Sequence, residues 1–386
     1  MQQSLAILGR QPALGLVELE SLFGSEAITP VGKAAALVDV SPSDIPFVRL
    51  GGSMKLAKVL NFLDTTNWDE ISDYLIEHVP KHTCCIAEEG KLKFGISVYG
   101  LRTNVKAMER TALSIKKVVK ADGRSVRVVP NKSLELNSAQ VLHNQMTKGP
   151  LGMELLLVAD GERTILAQTT NVQDIDAYAA RDQQRPKRDA RVGMLPPKLA
   201  QTIVNLANPG EGETVLDPFC GTGVILQEAL LMGRYVYGTD LEPRMIEYTK
   251  ENLKWLVGPT EQKLTVGDAT DITWEPFDVI AAETYLGRPF STEPDSATLQ
   301  QVMSDVNLIH KRFLQNLARQ TKPGFRACLA VPAWFTHHGI KHLKLLDSLE
   351  ELGYNRVSFV HGKASDLIYR RPDQVVGREL VVITRK

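Results

Sequence analysis

Three aspartates stand where predicted strands end in the second half of the chain. Asp217 closes an apolar stretch that begins at Val215, Asp240 closes the next stretch 23 residues later, and Asp268 follows a third. Because the carboxyl ends of parallel strands meet at one edge of a sheet, we expect these side chains to line one pocket. Asp217 suits a cationic amine, Asp240 suits the hydroxyls of a ribose, and Asp268 suits the amino group of an adenine.

The turn after Asp217 is rich in glycine and leads directly into a predicted helix. Gly221 and Gly223 lack a Cβ, so a ligand can approach the backbone at the N-terminus of that helix. In a dinucleotide site the third glycine of G-x-G-x-x-G would stand at Leu226, and an aspartate at the strand end would repel a pyrophosphate. The residues therefore favour a ribose and adenine ligand that carries an amine, and S-adenosylmethionine fits this description. The alternative is that the aspartates only cap turns and helices.

We expect the cofactor to contact the aspartates, the glycines and the residues beside them. These residues are Asp217, Phe219, Gly221, Gly223, Asp240, Leu241, Asp268 and Ala269. No base can be placed beside Cys220, so we expect it to be a small packed residue rather than a nucleophile. We also expect no metal site, because no acidic or cysteine partner lies near His337, His338 and His342 in the sequence.

The elements that must position these residues follow from the hydrophobic pattern. From residue 197 onward helical and strand patterns alternate, which predicts a doubly wound, mainly parallel α/β sheet, with one of its strands over residues 357–360. Residues 1–170 instead predict two small α+β units. Between Asn171 and Pro197 the apolar periodicity stops, which predicts a domain linker.

A basic helix is predicted over residues 104–121, where apolar residues recur at steps of three and four. Nine basic residues and two acidic ones lie between Arg102 and Lys132. On a helical wheel four of them form one ridge, which predicts binding to RNA phosphates. The four are Lys106, Arg110, Lys117 and Lys120. The alternative is an ordinary solvated face.

Composition limits the classes of protein that the chain can belong to. Its 386 residues, 43% of them hydrophobic, predict two or three folded domains and exclude a disordered chain. With 45 basic and 45 acidic residues the net charge is zero, so attraction to a polyanion must come from a local patch. The longest apolar runs are too short to cross a bilayer, and four cysteines form no disulfide framework, so we expect a cytoplasmic protein with no membrane segment.

The motifs resemble a known family. Residues 217–223 (D-P-F-C-G-T-G), the preceding residues 188–200 and the basic region upstream resemble the THUMP-containing class I methyltransferases that modify the exocyclic N2 of guanosine 10 in tRNA. The resemblance covers essentially the whole chain. It implies an N-terminal ferredoxin-like domain, a THUMP domain that holds the tRNA acceptor end, a linker, and a Rossmann-like methyltransferase domain, over residues 1–70, 71–170, 171–194 and 195–386. It also implies that residues 194–200 pack beside the methionine end of the cofactor.

The sequence departs from this family after the fourth strand of the catalytic sheet. Members carry D/N-P-P-Y there, whereas this chain has A-E-T-Y-L-G from residue 282. Glu283 keeps a hydrogen-bond acceptor and Tyr285 keeps an aromatic ring, but both prolines are missing. The resemblance implies that Glu283 accepts a hydrogen bond from the target amino group and that Tyr285 stacks on the base.

The sequence therefore predicts an S-adenosylmethionine-dependent tRNA methyltransferase that acts on an exocyclic amino group, which by the resemblance is N2 of guanosine 10. Transfer RNA is the expected partner, and a small activator subunit is left open. Two alternatives stand beside this hypothesis. The same scaffold could methylate another base or nucleic acid, or the altered motif could leave an RNA-binding protein without catalysis.

Overall fold

A computed structural model describes residues 2–86, 90–147, 149–189, 195–259, 262–372 and 374–386. The chain divides into two compact units. The first unit comprises Met1–Pro12, Glu26–Val48 and Gly52–Ala177. The second comprises Ala13–Ser25, Arg49–Gly51 and Tyr178–Lys386.

Helices and strands are numbered along the chain, and short 3-10 helices join several of them. The helices are α1 (Pro12–Phe23), α2 (Trp68–His78), α3 (Thr83–Ile86), α4 (Val105–Ala121), α5 (Ser138–His143), α6 (Ile175–Gln183), α7 (Pro197–Ala207), α8 (Val224–Leu231), α9 (Pro243–Val257) and α10 (Ser296–Gln320). The strands are β1 (Ser4–Leu8), β2 (Ile28–Val31), β3 (Ala35–Val38), β4 (Ser53–Leu63), β5 (Leu92–Tyr99), β6 (Val126–Val128), β7 (Gly152–Asp160), β8 (Arg163–Val172), β9 (Thr214–Asp217), β10 (Tyr235–Asp240), β11 (Lys263–Val266), β12 (Val279–Glu283), β13 (Arg326–Thr336), β14 (Gly339–Lys341), β15 (Tyr354–Arg356), β16 (Ile368–Tyr369) and β17 (Val376–Arg385).

The first unit is built on one sheet with the strand order β2-β3-β1-β4-β8-β7-β5-β6. Strand β5 runs parallel to β6 and β7, and the other neighbours are antiparallel. Because β4 pairs with β8, strands from both predicted N-terminal domains share this sheet. The boundary at residue 70 therefore does not interrupt the sheet, and the proposed division into a ferredoxin-like and a THUMP domain stays a prediction.

The basic helix predicted over residues 104–121 is α4. Its N-cap is Asn104, whose side chain accepts a hydrogen bond from the Ala107 N–H at 3.0 Å. The apolar stripe of the helix, which includes Met108, Ile115 and Val119, is buried in the core of the first unit. The charged face is thereby directed away from this core, as amphipathic spacing requires.

The second unit contains a sheet with the order β11-β10-β9-β12-β13-β17-β15. The first five of these strands run parallel to one another, and β17 is antiparallel to both of its neighbours. One hydrophobic core includes residues of α7 and α8 and the other includes residues of α10. This arrangement confirms the predicted doubly wound, mainly parallel α/β sheet. None of the helices in the described part of the chain has the length and apolar character needed to span a membrane.

Three features after residue 171 differ from the sequence-based expectations. The predicted linker contains the helix α6. None of the residues of α6 is buried, so the sequence shows no apolar periodicity there. The 25-residue helix α10 is not among the predicted elements. The strand expected over residues 357–360 is wrong, because β15 ends at Arg356 and the N–H groups of Val360 and His361 donate to the carboxylate of Glu20 instead of a neighbouring strand.

Candidate active site

A cavity of about 590 Å³ opens at the carboxyl ends of β9, β10 and β12. Parallel strands β10 and β12 flank β9 there, which is where the connections switch direction and ligands bind in doubly wound sheets. Nine of the ten residues predicted for cofactor and catalysis line the cavity. They are Asp217, Phe219, Gly221, Asp240, Leu241, Asp268, Ala269, Glu283 and Tyr285. Of the residues expected beside the methionine end of the cofactor, Met194 lies outside the described residues and Leu195 lines the cavity.

Gly223 is the predicted site residue that does not line the cavity. It is the N-cap of α8, with φ of 82°, and Gly221 in the same turn has φ of 52°. A Cβ on Gly223 would lie 2.8 Å from Cγ2 of Thr249 on α9, so both the backbone conformation and the packing require glycine. Gly223 thus shapes the turn, while Gly221 borders the ligand space.

Asp240 holds the glycine turn against the next strand. Its Oδ2 accepts a hydrogen bond from the Gly221 N–H and its Oδ1 accepts one from the Glu242 N–H, both at 2.9 Å. Burial raises the pKa of this carboxyl, and the two backbone N–H groups oppose that rise. The side chain therefore has a structural task in addition to any contact with a ribose.

Asp217 is 2% exposed at the base of the cavity. Burial raises the pKa of its carboxyl well above the ordinary value, and the nearby carboxylates of Asp240 and Glu283 add to the rise. One hydrogen bond, from the Phe219 N–H at 3.1 Å, opposes these effects. A buried carboxylate among other carboxylates is a favourable place for a bound cationic group.

Asp268 combines a position at the cavity with the role of a turn residue. Its Oδ1 accepts a hydrogen bond from the Thr270 N–H at 2.8 Å. The adjoining Ala269 is buried, and its carbonyl accepts a hydrogen bond from Nδ2 of Asn316 on α10. The turn interpretation considered for this aspartate is therefore compatible with its place in the cavity wall.

Glu283 and Tyr285 also line the cavity, and Glu283 has a partner that the sequence did not suggest. Oε1 of Glu283 accepts a hydrogen bond from Nε of Arg378 on β17, and the two side chains form an ion pair. Tyr285 is 44% exposed, which leaves its ring available to a ligand. The only local signal for this ion pair was a charged dipeptide, Arg378-Glu379, directly before the apolar residues 380–383.

A histidine of helix α10 contacts Thr284, the residue between Glu283 and Tyr285. The buried His310 shares a hydrogen bond with the Thr284 hydroxyl through Nε2 at 2.7 Å. Its Nδ1 lies 2.8 Å from the Val306 carbonyl oxygen, which can only accept, so Nδ1 carries the proton and Nε2 accepts from Thr284. Burial lowers the pKa of His310 to about 4 and keeps the imidazole neutral. Arg312 of the same helix also lines the cavity.

The sequence did not favour Cys220 as a nucleophile or the histidines near residue 340 as metal ligands, and their contacts can now be described. Cys220 is buried, and burial raises the pKa of its thiol, which leaves a packed residue rather than a nucleophile. His337 pairs with Glu293, and His342 pairs with Glu379, acidic partners that are distant in sequence. Among the residues that the structure describes, no three His, Cys, Asp or Glu side chains gather closely enough to hold a metal ion.

The four residues of the basic ridge, Lys106, Arg110, Lys117 and Lys120, are exposed on α4 of the first unit. The ion pairs found within the described residues include none of them. Arg124, counted in the same basic stretch, is buried and donates to the Pro150 carbonyl oxygen at 2.7 Å.

A large part of the second unit is similar in sequence to known protein families. Residues 185–334 match the family described as UPF0020, RMKL-like, methyltransferase domain. The chain is 36% identical over 141 residues to the tRNA (guanine(10)-N2)-dimethyltransferase of Methanothermobacter thermautotrophicus, covering 36% of this chain and 39% of that one. It is 32% identical over 182 residues to the Pyrococcus abyssi enzyme of the same name, covering 45% of this chain and 49% of that one. The chain thus matches less than half the length of these relatives.

A solved structure shares the fold. The crystal structure of TrmN from Thermus thermophilus superimposes with a TM-score of 0.56 at 16% identity, covering 100% of both chains. At this identity the likeness concerns the fold alone. The sequence matches support, for residues 185–334, the resemblance given by the glycine turn and its flanking residues. These residues match a methyltransferase domain of the UPF0020 family and belong to a Rossmann-like α/β sheet.

Proposed function

We propose that the protein is an S-adenosylmethionine-dependent tRNA methyltransferase that acts on the N2 amino group of guanosine 10. The observation that carries the proposal is one cavity that joins the three strand-end aspartates to Glu283 and Tyr285. The names of the two relatives support the choice of substrate. Such an enzyme would work in the cytoplasm, where the composition of the chain also suggests that it resides.

The chemistry of the cavity wall fits S-adenosylmethionine. The buried carboxylate of Asp217 would hold the amine of the methionine end, which supplies the positive charge that its surroundings lack. Asp240 has accepted two backbone N–H groups and would use its remaining lone pairs for ribose hydroxyls. Asp268 would face the adenine, beside the backbone of Ala269. Phe219, Gly221 and Leu241 would complete the pocket, and Gly223 would hold the turn that carries Gly221.

The cofactor supplies a methyl group on a positively charged sulfur, which is already activated for transfer. The bond from nitrogen to the methyl group forms as the sulfur–methyl bond breaks, the sulfur leaves as a neutral thioether, and the methylated nitrogen then releases one proton to water. The protein has to place the acceptor nitrogen in line with the methyl group. Glu283 would accept a hydrogen bond from the target amino group and thereby turn its lone pair toward the cofactor. Tyr285, half exposed at the cavity, would stack on the base.

The basic ridge on α4 would bind tRNA through its phosphates. Phosphate contacts set the position of a nucleic acid but do not read its sequence. The selection of guanosine 10 would then depend on the distance between this nucleotide and the end of the tRNA that the basic ridge binds. Lys106, Arg110, Lys117 and Lys120 are exposed, as this role requires.

The test is methyl transfer to defined tRNA transcripts, followed by mass spectrometry of the nucleosides. One transcript carries guanosine 10 and a second carries inosine 10, which lacks only the N2 amino group. We expect N2-methylated guanosine from the first transcript and no transfer to the second. Equal transfer to both would show that the target is an atom other than N2 of residue 10, and no transfer to either would favour an RNA-binding protein without catalysis. The same analysis counts the methyl groups added.

The matched negative control is Asp217→Ala, which removes the carboxylate expected to hold the cofactor amine. Its circular dichroism spectrum should match that of the parent protein, so that lost transfer reports the site and not the fold.

A further inference from the structure

The proposed function uses Glu283, which lines the cavity, but gives no task to Arg378, with which Glu283 forms an ion pair. We propose that Arg378 is a positioning residue that engages Oε1 of Glu283, presents Oε2 to the target amino group, and so makes a carboxylate necessary at residue 283. This role rests on the proposed function, because it assigns a task to the same site.

The sheet register brings these two residues together across an intervening strand. Glu283 on β12 lies opposite Ala330 on β13, and Arg378 on β17 lies opposite Pro332 on β13. Since Ala330 and Pro332 are two residues apart, all four positions share one face of the sheet. Two inter-strand spacings and the two-residue offset along the strands separate the two Cα atoms by roughly 12 Å, which an extended arginine and an extended glutamate side chain together can bridge. The short side chains of Ala330 and Pro332 leave room for this crossing.

Burial makes the contact more directional than a surface ion pair. The side chain of Arg378 is 5% exposed and that of Glu283 is 17% exposed. Nε of Arg378 donates to Oε1 of Glu283, and Nη1 lies 3.5 Å from Oε1 of Gln374. In the described part of the chain, the hydrogen bonds of Glu283 leave Oε2 unengaged. This oxygen is therefore the acceptor that a substrate in the cavity can use.

The consequence concerns glutamine at the same position. A carboxylate has two acceptor oxygens, so it can accept from Arg378 and from an amino group together, whereas an amide has only one. In Glu283→Gln the guanidinium would attract the amide oxygen, and the amide NH2 would face the guanine amino group. Two donors would then oppose each other at the reacting nitrogen. Glu283→Gln should therefore slow methyl transfer even though Glu283 takes up no proton in this role.

A general base at Glu283 would also be disabled by glutamine, so the single variant cannot separate the two roles. The double variant Glu283→Gln with Arg378→Met separates them. Without the guanidinium the amide is free to rotate and to present its oxygen to the substrate. A positioning role therefore predicts partial recovery, whereas a general base predicts none, since an amide still takes no proton.

The experiment measures single-turnover methyl transfer at saturating tRNA and S-adenosylmethionine for the parent, both single variants and the double variant. We expect Glu283→Gln to be slower than the parent by about ten- to a hundred-fold, the range for an unsatisfied polar group. We expect the double variant to be at least five-fold faster than Glu283→Gln. Arg356→Met is the matched control, because Arg356 pairs with Glu379, the next residue on β17, and should keep the parent rate.

A double variant no faster than Glu283→Gln would overturn the role of Arg378. Calorimetry with S-adenosylmethionine should give the parent affinity for each variant, which excludes loss of fold as the cause. If Arg378→Met does not fold, Arg378→Leu takes its place, since leucine also lacks a donor, and the same order of rates is expected. A parent protein that transfers no methyl group to tRNA would refute the proposed function, and this role with it, whereas an active parent without recovery refutes the role alone.

Discussion

The buried His310 should make the second unit less stable in mild acid. Its pKa in the folded protein is about 4, against an ordinary value of 6.5, because burial disfavours the charged imidazolium. Between these two values the unfolded chain binds the proton and the folded chain does not. Stability is therefore complete above the unfolded pKa and is lost as the pH falls below about 6.5, with the loss levelling off near pH 4.

The size of the effect follows from the two pKa values. For one group, linkage between pH 7 and pH 5 gives a loss in the free energy of unfolding of about 2 kcal/mol. The side chain is 2% exposed, so solvent screening reduces this figure little. Protonation would also oppose the hydrogen bond that Nε2 accepts from Thr284, beside the proposed catalytic glutamate.

The assay is urea unfolding followed by tryptophan fluorescence, since Trp274 and Trp334 are buried in the same unit. The comparison is between the parent and His310→Gln, whose amide can replace both hydrogen bonds without titrating. We expect the parent to lose about 2 kcal/mol more than the variant between pH 7 and pH 5. The exposed His338, changed to glutamine, is the control and should follow the parent. Parallel pH curves for the parent and His310→Gln would refute the argument.

Three further predictions concern binding. Asp217→Asn should raise the thermal midpoint of the ligand-free protein, because a carboxyl with a raised pKa destabilises the fold at neutral pH, and should weaken cofactor affinity about ten- to a hundred-fold; melting curves and calorimetry measure both. Asp240→Ala should lower cofactor affinity by about 1.5 to 3 kcal/mol and leave tRNA affinity unchanged, since it removes an acceptor shared with the Gly221 N–H. Neutralising Lys106, Arg110 and Lys117 together should lower the log-log salt slope of tRNA binding by roughly 0.7 to 0.9 per lost phosphate contact, and an unchanged slope would leave the ridge a solvated face.

The sequence alone was sufficient to predict helix α4 and nine of the residues that line the cavity. Asn104 and the apolar steps after it were sufficient to place α4, because a helix is specified by neighbours within a few residues. Asp217 and Asp240 could be assigned to one cavity from their positions at the ends of apolar stretches, since parallel strands present their carboxyl ends at a common edge. These predictions needed only the spacing of nearby residues and the rule that ligands bind at the carboxyl ends of parallel strands.

Only the tertiary structure decided how that set is held in place. The contact between Glu283 and Arg378 joins residues 95 positions apart and depends on the register of β12, β13 and β17. The hydrogen bond from Thr284 to His310 depends in the same way on where α10 packs. Strand register and helix packing depend on which distant residues are buried together. Such contacts produce no recognisable pattern of spacing in the local sequence. For that reason Glu283, the proposed acceptor, could be named from the sequence, whereas Arg378, which forms an ion pair with it, could not.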